Sequence, residues 1–294
     1  MKILSSLKSG FYRTLKVWKG ILLAWLVMLV LVSFITIPLR GGLRSGFGNS
    51  MITEKLAEGF DLEAYMDLGP TLKTLISSVS SGFLFIFLIG FVANAFITGG
   101  LFGSLRRNCT GFSSAEFFGN GARNFWSFIK ISVIITLIVI FLSFFIIGIP
   151  FLIISTSETI SEKGAFMTGI SAILVFLILL PLLLIVADYA RAKKASDESY
   201  SWSRSLGFGF SLTFRNFWSS YLMMLLLILC QVIPALLIIA ILPGWEPLKG
   251  GGVFLLLIVS QLILYARLLL KTWRYGSFTA LMEETNVQNI NNPQ

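Results

Sequence analysis

Long apolar runs, each close to the length of a membrane-crossing helix, recur along this chain with polar connections between them. A helix needs about 20 predominantly apolar residues to cross the hydrocarbon core of a bilayer. Six runs meet this requirement, with approximate bounds 20–39, 79–101, 128–154, 166–187, 220–242 and 253–273. The pattern predicts an all-α, polytopic membrane protein with six transmembrane helices in a single domain over 1–282, followed by a disordered, Asn-rich tail over 283–294.

The pentapeptide Arg-Asn-Phe-Trp-Ser occurs twice, each time directly before an apolar run. The two copies are Arg123–Ser127 and Arg215–Ser219, and a weaker third copy between Gly10 and Lys19 precedes the first run. Each copy follows a lead-in that contains Gly and Phe or Tyr. We therefore predict three parallel two-helix repeats, each with an interfacial amphipathic entry helix that bends into a span at this motif.

The first 19 residues alternate apolar and basic side chains at helical spacing. The apolar positions are Leu4, Leu7, Phe11, Leu15 and Trp18. This spacing favours a helix lying in the membrane interface, and the alternative is a solvated basic tail that only sets orientation. The apolar run that follows is too long for a signal-peptide core and has no Ala-x-Ala-like site after it, so we interpret it as the first span.

The first predicted repeat is longer than the others because it contains a connection of about forty residues. The middle of this connection, Met51–Leu68, has the pattern of an amphipathic helix; loops this long are usually functional or disordered. The second predicted span is rich in small residues, and Gly99 and Gly103 have the four-residue spacing that permits close helix approach. We favour packing within the chain over homodimerisation as the reason for this spacing.

Composition and charge agree with a membrane location. Only 13% of the residues are charged and 56% are apolar, whereas soluble domains contain about 25% charged residues. Of the 23 Lys and Arg residues, seventeen fall on the side of the predicted spans that holds both termini, and six fall on the other. The positive-inside rule then predicts a multi-pass protein of the bacterial cytoplasmic (inner) membrane with both termini in the cytoplasm. Since topology explains the net charge of +9, we predict no nucleic-acid partner.

Histidine and the common motifs for covalent and metal chemistry are absent from the sequence. It contains no His, and its two Cys, Cys109 and Cys230, lie in a basic loop and an apolar run, so we expect no disulfide. It has no P-loop, no Gly-x-Ser-x-Gly and no cluster with metal-ligand spacing. We therefore predict that the protein is not an enzyme and uses no metal or cofactor.

Polar side chains inside or at the ends of the apolar runs are the candidates for an intramembrane role, because such groups are costly in hydrocarbon. They are Asp188, Arg267, Lys271, Asn94, Gln231 and Gln261. Arg267 is expected either to extend its guanidinium to the interface or to pair with Asp188. We favour structural pairing over a substrate pathway for this group.

The repeated motif supplies candidates for contact with lipid or another anion, namely Arg123, Arg215, Trp126 and Trp218. Their chemistry suits the interface, since Arg is attracted to phosphates and Trp to the headgroup level. The predicted partners are the lipid bilayer and anionic lipid headgroups. Simple anchoring is favoured over specific phosphate binding.

Glycine and aromatic residues around the repeats resemble those of uncharacterised prokaryotic six-span membrane families. The residues that carry the resemblance are Gly99–Phe102, Arg106-Arg107, Phe117-Phe118-Gly119 and Phe125-Trp126, and then Gly207–Phe210 and Phe217-Trp218. These families include the membrane domain fused to some glycerophosphodiester phosphodiesterases, whose catalytic domain has no counterpart in this sequence. The resemblance implies the fold and carries over no catalytic residue.

Two functions remain after these exclusions. The first is transport or lipid handling in the cytoplasmic membrane, through the interior of the helix bundle. The alternative is a non-enzymatic scaffold or accessory subunit that docks an unidentified partner through its cytoplasmic basic and aromatic segments. A polar, water-accessible cavity within the spans favours the first, and an interior filled with Leu, Ile and Phe favours the second.

Overall fold

A computed structural model describes residues 2–47, 69–106, 111–156, 161–241 and 250–291 of the chain, and these are helical apart from short connections. Nine α-helices are described, with a π-helical turn at Phe144–Gly148 between α4 and α5. They are α1 (Lys2–Lys16), α2 (Trp18–Phe47), α3 (Gly69–Ser104), α4 (Ser114–Ser143), α5 (Ile149–Thr156), α6 (Glu162–Ser196), α7 (Trp202–Arg215), α8 (Phe217–Ile241) and α9 (Gly250–Asn291). The predicted Met51–Leu68 helix and Cys109 lie outside the described residues.

The prediction of an all-α fold with several apolar helices of membrane-crossing length is confirmed for the described residues. Among the described residues, five helices are long and apolar enough to cross a membrane, or six if the bent pair α1 and α2 counts as one span. The chain divides into two compact units. One contains residues 1–22 and 95–294, and the other contains 23–94. In the smaller unit α2 approaches α3, because a Cβ atom at Gly90 would lie 3.9 Å from Leu31 Cδ1.

Helix α1 packs along the C-terminal part of α9, which places the two ends of the chain side by side. The contact is close enough that a Cβ atom at Gly276 would lie 2.8 Å from the carbonyl oxygen of Gly10. The indole N–H of Trp273 donates to the carbonyl of Leu7 at 2.9 Å. The ring of Phe11 meets that of Trp273 edge-on at 5.4 Å. Glycine on both helices therefore lets the backbones touch while aromatic side chains fill the flanks.

The other two amphipathic segments also pack through small residues. The N-terminal part of α4 lies against the C-terminal end of α3, where a Cβ at Gly100 would be 2.8 Å from the carbonyl of Phe117. Helix α7 folds back on α6, and a Cβ at Gly209 would be 2.5 Å from the carbonyl of Val186. The region where α1, the start of α4 and α7 contact the ends of α9, α3 and α6 is called the packed end below.

A helix break is present at two of the three predicted entry segments and absent from the third, and the C-terminus also differs from the expectation. A bend of 69° separates α1 from α2, and the helix is interrupted at Asn216, between α7 and α8. The first pentapeptide copy, in contrast, lies inside the uninterrupted helix α4, so no elbow forms there. The predicted disordered tail is helical as far as Asn291, because its first residues contact α1.

Candidate functional site

Asp188 is the centre of the only extensive charged cluster found among the described apolar helices. Its carboxylate is fully buried, with Oδ2 2.8 Å from Arg274 Nε and Oδ1 3.7 Å from Arg191 Nη1. Arg191 also donates from Nη2 to the hydroxyl of Ser132 at 2.9 Å. These contacts join α4, α6 and α9 at the packed end.

Aromatic rings pack next to the residues of this cluster. Tyr275 stacks at a tilt on Phe102 with 4.6 Å between ring centroids, and Tyr189 meets Phe278 edge-on at 5.2 Å. The Tyr189 hydroxyl is 2.7 Å from that of Ser220. A buried charge in such surroundings is tolerated only when it is paired. The arrangement therefore acts chemically as a structural ion pair that holds three helices in register.

The residue that pairs with Asp188 is Arg274, and Arg267 does not take this role. The side chain of Arg267 is exposed, two turns before Arg274 on the same helix. Lys271 lies between them and places its ammonium 5.9 Å from the centroid of the Tyr275 ring. The basic residue of α9 that meets α6 is therefore Arg274, which follows Lys271 and Arg267 along the helix.

The uncharged polar candidates are not part of this cluster. Gln231 and Gln261 are half-buried in α8 and α9. Gln261 is thirteen residues before Arg274, which is about 20 Å along a helix. Asn94 is half-buried at the end of the smaller unit and makes a polar interaction of its own.

The two pentapeptide copies have different surroundings. The guanidinium of Arg123 forms an ion pair with Glu198 and donates to the side-chain carbonyl of Asn120, while Arg215 is exposed and makes a separate interaction. Trp126 is 69% exposed and Trp218 is 81% exposed. Two exposed indoles beside two arginines suit an interfacial position.

The connection that presents Glu198 to Arg123 is organised by its neighbours. Lys193 places its ammonium 4.2 Å from the centroid of the Tyr200 ring, and Lys194 donates to the carbonyl of Tyr200 at 2.7 Å. A hydrogen bond from the Ser199 hydroxyl, aided by the charge of Lys193, lowers the pKa of Asp197. The turn between α6 and α7 therefore has a defined conformation, which brings Glu198 to α4.

Sequence reasoning missed a second motif shared by α1 and α7. Gly10 and Gly209 each stand seven residues before the helix interruption at Val17 and Asn216. Thr14 donates its hydroxyl to the carbonyl of Gly10 at 2.8 Å, and Thr213 donates to Gly209 at 2.7 Å. Aligning Gly-Phe-x-x-Thr in the two segments would have revealed it.

Comparison with protein-family models, curated proteins and solved structures finds no match. The inferences about function therefore rest on the chain itself. Within the described residues no group of three or more His, Cys, Asp or Glu is placed to hold a metal ion.

Proposed function

We propose that this protein handles lipids in the bacterial cytoplasmic membrane. One observation carries the proposal, namely how little of the apolar helix surface is buried. In Ser114–Thr156 and in Phe254–Thr285, none of the residues in the most apolar 18-residue stretch is buried within the structure. Burial is concentrated instead at the packed end, around residues such as Phe102, Tyr189 and Phe278.

These exposed apolar flanks favour lipid over a polar solute. A route for a polar solute needs hydrogen-bonding or charged groups along its wall. The flanks here consist mainly of Leu, Ile, Val and Phe, for example Leu137, Phe141, Leu257 and Leu262. Side chains of this kind match acyl chains, so the surface is suited to contact with lipid tails.

The proposal includes an orientation and an internal repeat. The distribution of Lys and Arg, seventeen against six, supports placing both termini in the cytoplasm. The shared Gly and Thr contacts of α1 and α7 support three parallel two-helix repeats. In the second repeat the glycine of the contact is not on the entry segment but on the helix it packs against, since Gly100 of α3 accommodates Phe117 of α4. The proposal also includes a relationship to the uncharacterised prokaryotic six-span membrane families that the glycine and aromatic residues resemble.

A scaffold or accessory subunit is the second candidate, because a partner's spans would cover the same apolar flanks. The exposed Trp126 and Trp218 are equally suited to an aromatic partner surface. Enzymatic activity forms no part of either proposal, and neither invokes a cofactor.

Reconstitution distinguishes the two candidates. Purified protein in phospholipid vesicles that contain a fluorescent phospholipid is treated with an impermeant quencher, and protein-free vesicles are the control. Lipid handling predicts that the inner-leaflet lipid becomes accessible faster with protein than without it, or that the protein carries lipid between vesicles. Unchanged rates in both assays would contradict lipid handling, and a stoichiometric protein partner in mild detergent would then favour the scaffold.

A further inference from the structure

A cavity of about 320 Å³ opens between α1 and the C-terminal end of α3. Its α1 wall has the side chains of one helix face, at i, i+3, i+4 and i+7. The lining residues are Ser9, Tyr12, Arg13, Lys16, Val17, Ser104, Arg106 and Gly111. Its volume is at the lower end of the range of small-ligand pockets, about 300 to 1,000 Å³.

The lining has an excess of positive charge. Arg13, Lys16 and Arg106 all contribute to it, and the one described acidic side chain that pairs with them is Glu283, at 2.8 Å from Arg13. No described acidic group lies within ion-pair distance of Lys16 or Arg106. Three cations against one carboxylate leave a net charge of about +2 at full ionisation.

The Arg13 guanidinium is held in place before any ligand arrives. It donates from Nη1 to the carbonyl of Leu105 at 3.0 Å, while Nη2 faces Glu283. A guanidinium has five N–H donors, so these two contacts leave donors for another acceptor. The hydroxyls of Ser9 and Tyr12 supply further donors on the same wall.

A simpler reading is that these cations only neutralise the carbonyl end of α3. Arg13 and Arg106 do contact carbonyls there, with Arg106 Nε donating to Gly103 at 3.2 Å. That reading leaves Lys16 unexplained, because it reaches into the cavity from α1 and makes no such contact within the described structure. The charge excess and the hydroxyl donors together favour an anionic occupant.

We propose that this cavity binds a phosphate group. A phosphate monoester or diester presents oxygen acceptors in the geometry that Arg and Lys recognise. The cavity lies at the 69° bend between α1 and α2, beside the half-exposed Trp18. Trp residues of membrane proteins are enriched at the level of the lipid headgroups. The proposal rests on the lipid-handling function for its physiological ligand, but the phosphate chemistry does not depend on that function.

The test measures binding to the full-length protein in two arms. The first arm titrates purified protein in detergent with inorganic phosphate and with glycerol 3-phosphate by calorimetry. The second arm compares nanodiscs of phosphatidylcholine with and without phosphatidylglycerol, and detects lipid retained after detergent exchange by native mass spectrometry. Binding in the first arm indicates a free phosphate compound, and binding in the second alone indicates a lipid headgroup.

Two double variants decide whether the cavity is responsible. Lys16→Gln with Arg106→Gln removes two lining cations, and Lys8→Gln with Arg204→Gln removes one Lys and one Arg from exposed positions outside the cavity. We expect the first pair to weaken binding about tenfold or more and the second to leave it unchanged, where tenfold is about 1.4 kcal/mol. No binding in either arm, or equal loss in both variants, would overturn the proposal.

The outcome is separable from that of the lipid-handling proposal. Phosphate binding that depends on Lys16 and Arg106, without any movement of lipid in vesicles, would contradict lipid handling and leave the site intact. Lipid movement without phosphate binding would do the reverse. Elution volume in size-exclusion chromatography checks that each variant is folded.

Discussion

Asp188 of α6 and Arg274 of α9 form an ion pair with 2.8 Å between Oδ2 and Nε. Arg191, one turn after Asp188, reaches the other carboxylate oxygen at 3.7 Å. Because the carboxylate is fully buried, its loss leaves two mostly buried guanidiniums without their anion. The loss of Arg274 likewise leaves the carboxylate with one distant partner. The two residues are therefore energetically coupled.

We predict that Asp188→Asn and Arg274→Gln each lower the free energy of unfolding by about 3 to 5 kcal/mol, as expected when one partner of a buried pair is removed. The double variant should lose less than the sum of the two, because neither charge is then left alone. Chemical unfolding in mixed micelles, followed by circular dichroism, measures all three values.

Arg267→Gln is the matched control for this cycle. It removes the same charge from the same helix, at an exposed position, so we expect a change within about 0.5 kcal/mol. Full additivity of Asp188→Asn and Arg274→Gln would show that the pair is not coupled. A large loss of unfolding free energy for Arg267→Gln would instead support Arg267 as the partner of Asp188, as considered from the sequence.

The close contact of α7 with α6 predicts a strong position dependence for glycine substitution. A Cβ at Gly209 would lie 2.5 Å from the carbonyl of Val186 and 3.1 Å from the amide of Ala190, so backbone would have to move. We expect Gly209→Ala to cost about 1 to 3 kcal/mol, as overpacking usually does. The unfolding measurement is the same as for the ion pair.

Gly207 on the same helix provides the comparison, since a Cβ there would have no neighbour within 4 Å. Alanine is favoured over glycine in helices by about 1 kcal/mol, so Gly207→Ala should be neutral or stabilising. Equal effects at the two positions would contradict the packing of α7 on α6.

The end of α9 predicts a boundary for tolerated truncation. Glu283 pairs with Arg13 at 2.8 Å, and Glu284 accepts a hydrogen bond from the Ser6 hydroxyl at 3.1 Å. A chain that stops after Met282 loses both contacts, whereas one that stops after Thr285 keeps them. Hydrogen bonds to charged groups contribute about 1.5 to 3 kcal/mol each when protected from water, and partial exposure reduces this here.

We expect α1 to open more often in the shorter protein, with cleavage by trypsin after Lys8 or Arg13 about tenfold faster, which corresponds to about 1.4 kcal/mol of local stability. The chain that ends at Thr285 should be cut at the rate of the full-length protein. Identical cleavage of both truncated proteins would show that Glu283 and Glu284 do not hold α1.

The sequence predicted the helical spans well, because length and apolarity are local properties of the chain. It also identified Asp188 as a candidate for an intramembrane ion pair, and the partner it offered was Arg267. It did not identify Arg274, which pairs with Asp188 in the structure and follows Arg267 by two turns, or about 10 Å. The partner is set by how α9 packs in three dimensions, and the end of α9 contacts α1 through Glu283 and Glu284.

The elbow at the repeated pentapeptide shows a second limit. Arg123–Ser127 and Arg215–Ser219 are identical in sequence, yet only the second lies at a helix interruption. The difference comes from the packing before the motif. Gly209 lies directly on α6, whereas the bulky Phe117 at the corresponding position is accommodated by Gly100 of α3. Identical local sequence thus adopts two backbones under different tertiary contacts.

The sidedness of the membrane can be tested with one position at the start of α6 and one in α7, just after α6 ends. Helix α6 has 35 residues, about 52 Å at 1.5 Å per residue, so it is long enough to place its ends on opposite sides of a hydrocarbon core of about 30 Å. In a variant with Cys109→Ser and Cys230→Ser, single cysteines are introduced as Lys163→Cys or Ser203→Cys, both exposed positions. An impermeant maleimide is then added to spheroplasts before or after lysis.

The excess of Lys and Arg on the side of Ser203 predicts that this end is cytoplasmic. Lys163→Cys should react in intact spheroplasts, and Ser203→Cys only after lysis. The reverse pattern would invert the proposed orientation, and labelling of both in intact spheroplasts would mean that α6 does not cross the membrane. Because Asp188 lies nearer the C-terminal end of α6, which leads to Ser203 in α7, the expected result would also assign the ion-pair cluster and the phosphate cavity to the cytoplasmic half. There they would lie next to the cytoplasmic leaflet, whose anionic headgroups give it a negative surface potential.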